Sequence, residues 1–256
     1  MTPLLSVRRL DKSFGAQRAC VDISFNLHGG EVLAIVGESG SGKTTLLRCL
    51  AGLVQPDAGE IIYYKRDGGQ LELTAASEAE RRFLSRSDWG FVHQDARDGL
   101  RMGVSAGANI GERIMATGAR HYGKIRESAE HWLGRVDIPL SRIDNSPWTY
   151  SGGMRQRLQI ARNLVTAPRL IFMDEPTGGL DVSVQAKLLD LMRGLVRDLN
   201  LAVILVTHDL AVARLLSKRM MVMQNGRVIE AGLTDQILED PQQPYAQLLV
   251  SSVLQV

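Results

Sequence analysis

Gly37-Glu38-Ser39-Gly40-Ser41-Gly42-Lys43-Thr44-Thr45 follows the apolar run Val32-Leu33-Ala34-Ile35-Val36 and leads into Leu46-Leu47-Arg48-Cys49-Leu50. The order reads as strand, glycine-rich loop, helix, and Gly, four residues, Gly-Lys-Thr is the spacing of a phosphate-binding loop. Glycines let consecutive backbone N–H groups turn inward without Cβ clashes. The loop therefore makes a nest facing a polyphosphate at the positive end of the helix that starts near Gly42. Lys43 would then reach the β- and γ-phosphates, and the Thr44 hydroxyl would ligate Mg²⁺. Charge-assisted hydrogen bonds contribute roughly 1.5 to 3 kcal/mol each, so several together hold a hydrated triphosphate. Kinases, GTPases and ATP-driven machines all use such a loop, and the reaction must be read from the rest of the chain.

Working outward, 256 residues suffice for one large α/β domain or a domain with an inserted lobe. Hydrophobic residues at 45% and charged residues at 23% are ordinary globular usage, which excludes a disordered chain or a fibre. A net charge of +2 gives no signal for nucleic-acid binding, and none is expected. Cys20 and Cys49 supply no framework of bridges and no secretory signal precedes the first strand, so a cytoplasmic protein is expected. Apolar runs such as Leu201 to Val206 are strand-sized, so no direct membrane insertion is expected.

Upstream of the loop, residues 4 to 28 alternate apolar and polar positions between glycine breaks, as half-buried antiparallel strands do. Phe14, before Gly15, is either core or a ring that stacks on a base. Downstream, Glu60 to Tyr64 reads as a strand and Ser77 to Ser85 as a helix with a capping box formed by Ser77 and Glu80. Trp89 to Gln94 reads as a short buried strand, with Gln94 either an ordinary strand-end amide or a contact to Mg²⁺ or the attacking water.

From about 95 to 167 the period becomes helical, with helices expected over 104 to 118 and 124 to 136, so this block reads as an inserted helical lobe. It ends in Tyr150-Ser151-Gly152-Gly153-Met154-Arg155-Gln156-Arg157, where Ser151 caps a helix with open N–H groups. That is either a plain capped helix or a second anion site. Leu170 to Glu175 is a continuous apolar strand ending in paired acids. Asp174 suits a hard cation and Glu175 suits orienting or deprotonating a water. A long helix is expected over 182 to 199, then a strand over 202 to 206 that delivers His208 at its carboxyl end. Asn225-Gly226 between apolar runs marks a hairpin, and an apolar helix is expected near 245 to 253.

Taken together, and in this order, Phe14, the loop 37 to 45, Gln94, Tyr150 to Met154, Leu170 to Glu175, Gly178 to Asp181 and His208 resemble the ATP-binding cassette ATPases over essentially the full chain. The resemblance implies a P-loop α/β cassette with a RecA-like core, an antiparallel β edge and an inserted helical lobe. It divides the chain into a nucleotide-binding core (1–94 and 168–240), the lobe (95–167) and a C-terminal tail (241–256). It implies ATP and Mg²⁺, with Phe14 stacking on adenine, Gly37, Ser39, Gly40, Ser41, Gly42, Lys43, Thr44 and Thr45 cradling phosphates, and Thr44, Gln94 and Asp174 at the metal. Glu175 would activate water and His208 contact the γ-phosphate. A head-to-tail dimer, with itself or a second cassette, would bring Ser151, Gly152 and Gly153 of one subunit over the phosphate loop of the other. Tyr150, Met154 and Gly178-Gly179 depart from the commonest residues at their places.

Within the family, the signature, Asp181 to Gln185 and Pro241 to Tyr245 resemble ATPases of oligopeptide and nickel importers. The lobe stretches 98–101, 104–113 and 115–123 resemble the ATP-binding subunits of bacterial carbon–phosphorus lyase systems. That resemblance implies carbon–phosphorus lyase core subunits as partners, contacted through residues 97 to 123. An importer ATPase and a non-hydrolysing assembly scaffold stay open as other readings.

Overall fold

The computed structural model describes residues 2–253; Met1 and, of the expected tail, residues 254–256 lie outside it. In chain order the strands and helices begin with β1 (Leu5–Phe14), β2 (Gln17–Leu27), β3 (Val32–Val36), α1 (Lys43–Leu50), β4 (Ala58–Tyr64), β5 (Gln70–Glu72) and α2 (Glu78–Ser87). There follow β6 (Trp89–Val92), α3 (Ala96–Gly99), α4 (Ala106–Ala116), α5 (Tyr122–Arg135), α6 (Gly152–Leu164), β7 (Leu170–Asp174) and α7 (Val182–Leu199). The last are β8 (Ala202–Val206), α8 (Leu210–Leu216), β9 (Arg219–Gln224), β10 (Arg227–Leu233), α9 (Thr234–Glu239) and α10 (Pro244–Val253). The fold is α/β. The chain forms two compact units, one of residues up to Arg81 and from Val196 onward, the other of Arg82–Leu195.

In the first unit, β2, β1, β4 and β5 form an antiparallel sheet in that order. A second set of strands centres on β3, which pairs in parallel with β8 on one side and β9 on the other. Every residue of β3 and β8 is buried, which is why their sequences are unbroken apolar runs rather than alternating ones. β10 returns antiparallel to β9 through Asn225 and Gly226, both left-handed (φ 49° and 77°) as a two-residue hairpin turn requires. Ala34, Val36, Met220 and Val222 pack with Leu210, Ala213, Ile237, Ala246 and Val250, so α8, α9 and α10 share one core beneath the strand that feeds the glycine loop.

The capping box is present: the Ser77 hydroxyl accepts from the Glu80 N–H at 3.3 Å, and the Glu80 carboxylate accepts from the Ser77 N–H at 2.9 Å. Three elements go beyond the pattern read from sequence. β5 is only three residues long and too short to show a period. α8 is capped by Asp209, whose carboxylate accepts from the N–H groups of Ala211 and Val212. α9 has no side-chain cap to announce it.

In the second unit β6 and β7 pair in parallel, with Trp89 opposite Leu170 and Val92 opposite Met173. The other side of β6 has no strand partner among the described residues; α6 covers it with amide side chains. Asn163 accepts from the Phe91 N–H (3.1 Å) and donates to the Phe91 carbonyl (2.9 Å), while Gln159 accepts from the His93 N–H (2.7 Å). Buried amides thus complete the ladder, with no exposed edge. The lobe helices are held by similar means. The buried Asn109 side chain closes the Arg101–Ser105 turn, and the Arg113 guanidinium donates to the Ser85 and Trp89 carbonyls. Burial pushes the Arg113 pKa down to about 10. No helix among the described residues is long and apolar enough to cross a membrane.

Replacing Asn163 by Ala strips both partners from Phe91 at once. The expected loss of unfolding free energy is about 2 to 3 kcal/mol, read as a lower urea midpoint at unchanged m-value.

Candidate active site

The glycine loop lies wholly in the first unit. β3 runs straight into it, and Gly37, Gly40 and Gly42 take φ of 147°, 83° and 103°, a region closed to side-chain-bearing residues without strain. Space adds a second reason at two of them. A Cβ on Gly37 would collide with the Met223 carbonyl oxygen, and one on Gly42 with the Ala19 carbonyl oxygen. The backbone of β2 and β9 thus lies directly against the loop. The Ser41 carbonyl accepts from the Gly226 N–H (3.0 Å), and the Val21 N–H donates to the Gly226 carbonyl (2.8 Å), so the tip of the β9–β10 hairpin stitches the loop to β2. Lys43, only 5% exposed, donates to the carbonyls of Gly37 (2.8 Å) and Glu38 (2.7 Å), which folds its ammonium over the loop. Gly42 precedes α1 and supplies no side-chain cap, and a helix start of that kind is an anion site.

Two further residues of the first unit were singled out by sequence. His208 is exposed in the turn between β8 and α8, where the Thr207 N–H donates to Ile35 (3.1 Å) and the Thr207 hydroxyl accepts from Asp209 (3.0 Å). The carboxyl ends of β3 and β8 are neighbours, so the histidine and the loop issue from the same end of the parallel strands. Phe14 ends β1 and is 53% exposed, with the Lys12 ammonium 5.2 Å from its ring centroid. Lys12 is itself tied to Asp57 at 2.7 Å, and that hydrogen bond, with one from the Ser13 N–H, holds the Asp57 carboxyl below the usual range. Burial pushes the Cys20 and Cys49 thiols up to about 12 and 11, which leaves them protonated and unreactive.

The remaining candidates sit in the second unit. Asp174 ends β7 and is 6% exposed; Glu175 follows with φ 42°, a left-handed conformation that costs a non-glycine residue about 1 to 3 kcal/mol. Its carbonyl accepts from the Gly178 N–H at 3.0 Å, so a tight turn holds the acid in place. A Cβ on Gly178 would stand 3.3 Å from the Gln94 amide nitrogen, tighter than ordinary packing, and Gly179 takes φ 71°.

Gln94 itself is exposed, but the residue before it is not free to move. The His93 carbonyl accepts from Gln156 (3.1 Å) and Gln159 (3.2 Å) of α6. Asp95 then caps α3 by accepting from Arg97, whose hydrogen bonds pull the Asp95 pKa down to about 2.

Ser151 caps α6, accepting from the Met154 N–H at 3.3 Å. Gly152 is exposed, and Gly153 is packed so closely that a Cβ would collide with Val184 of α7. The Tyr150 hydroxyl donates to the Arg142 carbonyl (2.7 Å) and its carbonyl accepts from Arg155 (3.1 Å), which explains a buried tyrosine at the start of this motif. A cleft of about 390 Å³ opens among Gln94, Arg97, Gly152, Arg155 and Gly179.

Structure thus gathers Phe14, residues 37–45 and His208 in one unit, and Gln94, Ser151–Gly153, Asp174 and Glu175 in the other. Sequence reasoning gave Gln156, Gln159 and Tyr245 no contact of their own, because each bonds to backbone distant in sequence. No group of three or more His, Cys, Asp or Glu side chains among the described residues is placed to hold a metal. A hard cation bound chiefly by phosphate oxygens and water needs only one or two protein oxygens.

A phosphate loop, a serine-capped Gly-Gly helix, an apolar strand ending in Asp-Glu and a histidine past the next strand define a cassette ATPase. The chain belongs to the ABC transporter family, whose sequence profile matches residues 20–178. It is 64% identical over 253 residues to PhnK of Escherichia coli (strain K12), a protein named for phosphonates utilization and ATP binding, covering 99% of this chain and 98% of that one. A protein of Brucella ovis named for peptide import is 36% identical over 256 residues, covering 98% of this chain and 79% of that one. Among solved structures, the dimeric cassette MJ0796 in a post-hydrolysis state bound to ADP and Pi superposes with a TM-score of 0.79 at 28% identity, covering 90% of this chain and 98% of that one.

Gly42→Ala adds both a forbidden φ and a backbone collision at the mouth of α1. The variant is expected to lose ATP binding in a fluorescent-nucleotide titration and to melt several degrees below wild type.

Proposed function

We propose that the protein, a chain of one cassette working in the cytoplasm as half of a head-to-tail dimer, hydrolyses ATP in a Mg²⁺-dependent reaction, and that the cycle drives conformational change in a soluble carbon–phosphorus lyase complex. The observation that carries the ATPase reading is the loop itself: three left-handed glycines, a lysine folded onto the Gly37 and Glu38 carbonyls, and an uncapped helix start. The partner assignment is supported by the 64% identity to PhnK over 253 residues, 99% of this chain.

In this reading the core (1–94 and 168–240) holds nucleotide, the lobe (95–167) meets the partner through residues 97 to 123, and 241–256 is the tail. Phe14 offers the free side of its ring to adenine. The amides of 37–45 and the Lys43 ammonium bind the β- and γ-phosphates. Thr44 and Asp174, with Gln94, would hold Mg²⁺, which would supply charge neutralisation at the phosphates. Glu175, fixed in its turn by Gly178, accepts a proton from the attacking water, an effect of about 10² to 10⁴ in rate. His208 donates to the γ-phosphate. Ser151, Gly152 and Gly153 complete the site of a second subunit, the serine-capped helix presenting its N–H groups to the phosphate from the far side.

Glu175→Gln keeps the shape of the turn and removes the base. Turnover is expected to fall by about 10² to 10⁴ while ATP binding persists, and the ATP-trapped variant is expected to retain lyase core subunits when isolated from cells grown on a phosphonate. Retention of integral-membrane permease subunits with no lyase subunit contradicts the partner assignment and favours the import function for which the Brucella relative is named. Undiminished function in cells, with turnover abolished, contradicts the motor and favours a scaffold.

A further inference from the structure

One contact to the phosphate loop comes from the far end of the chain. The Glu38 N–H donates to the Tyr245 hydroxyl at 2.9 Å, across 207 positions of sequence. Tyr245 lies in the first turn of α10, half-buried against the core formed by Val36, Val222, Ala246 and Val250. The carbonyl of the same Glu38 accepts from the Lys43 ammonium at 2.7 Å. One residue's backbone is therefore gripped from both sides, at its N–H by the C-terminal helix and at its C=O by the phosphate-reaching lysine.

The approach of α10 is fixed as well. The Glu230 carboxylate on β10 accepts from the N–H groups of Gln242 (2.9 Å) and Gln243 (3.0 Å), and the Gln247 amide donates to the Pro241 carbonyl (3.0 Å). These bonds set the turn that leads into Pro244 and aim the Tyr245 ring at the loop. Burial raises the Tyr245 pKa, and the Glu38 hydrogen bond opposes that rise. The hydroxyl thus stays a neutral acceptor at physiological pH.

We propose that Tyr245 is a positioning residue for the nucleotide site: through Glu38 it sets where the loop backbone holds Lys43, so the C-terminal helix takes part in binding the ATP phosphates. The proposal rests on reading residues 37–45 as the ATP site. A hydroxyl that only fastened the tail would affect melting; one that sets the loop affects affinity for phosphates. Because the Tyr245–Glu38 bond is made to backbone away from the reacting atoms, its loss acts on ground state and transition state alike, and KM moves more than kcat.

The test uses the full chain and ATP. Tyr245→Phe keeps the ring and removes the oxygen. The expected result is a roughly threefold to tenfold higher KM for ATP and weaker fluorescent-ATP binding by the same factor, as loss of one hydrogen bond predicts, with kcat within about twofold. Glu230→Gln retains the hydroxyl but weakens the turn, and a smaller rise in KM is expected; it carries the test if Tyr245→Phe does not fold. A KM for both variants equal to wild type, whether or not melting falls, overturns the proposal. Failure of the wild-type chain to bind ATP overturns the underlying site reading instead, so the two failures are distinct.

Discussion

The first unit depends on how closely backbone presses on backbone around residues 37–42. The Met223 and Ala19 carbonyls occupy the space where side chains of residues 37 and 42 would stand, the Gly226 N–H binds Ser41, and the Tyr245 hydroxyl binds Glu38. Strand β2, the β9–β10 hairpin and α10 thus converge on one loop from distant parts of the chain. A phosphate nest must be rigid before its ligand arrives, because every degree of freedom it retains is lost on binding. Here the surrounding backbone and the Tyr245 hydroxyl hold the loop from outside, and the Lys43 ammonium ties its Gly37 and Glu38 carbonyls from within.

The second unit solves a related problem with amides. Gln156, Gln159 and Asn163 of α6 hold the backbone of β6 and of His93, and Gln94 follows immediately. The helix that begins at Ser151 therefore also fixes the residue that enters the Gln94 loop. Three hydrogen bonds, of 2.7 to 3.2 Å, tie this helix to His93, the residue next to Gln94. Glu175, in a left-handed conformation secured by Gly178, sits in the same unit; its strain is of the kind found where geometry serves chemistry.

Much of this was legible in residue order alone. The phosphate loop declares itself because its glycines and lysine serve local geometry, and the Ser77–Glu80 box and the Asn225-Gly226 turn are likewise short-range devices that a linear reading recovers. β3, β8 and β7 were legible because burial on both faces writes a continuous apolar run. Tyr245 was not, since its partner is an N–H group 207 positions away and backbone has no sequence signature. The same holds for Asn163 and Gln159, which read as polar positions on an amphipathic helix until β6 is placed beside them. β5 and α9 escaped for a different reason: one is too short for a period and the other lacks a cap.

The central claim is that each ATP site is shared, with Lys43 from one subunit and Ser151 from another. Mixing two inactive variants tests it most directly. In a head-to-tail pair of Lys43→Ala with Ser151→Arg subunits, one site carries both lesions and the other carries none. The account predicts negligible ATPase activity for each variant alone and recovery of up to about one quarter of wild-type activity in an equimolar mixture, the limit for random pairing in a symmetric dimer. A mixture as inactive as its components, beside an active wild type, or a Ser151→Arg protein that hydrolyses ATP unaided, would contradict it.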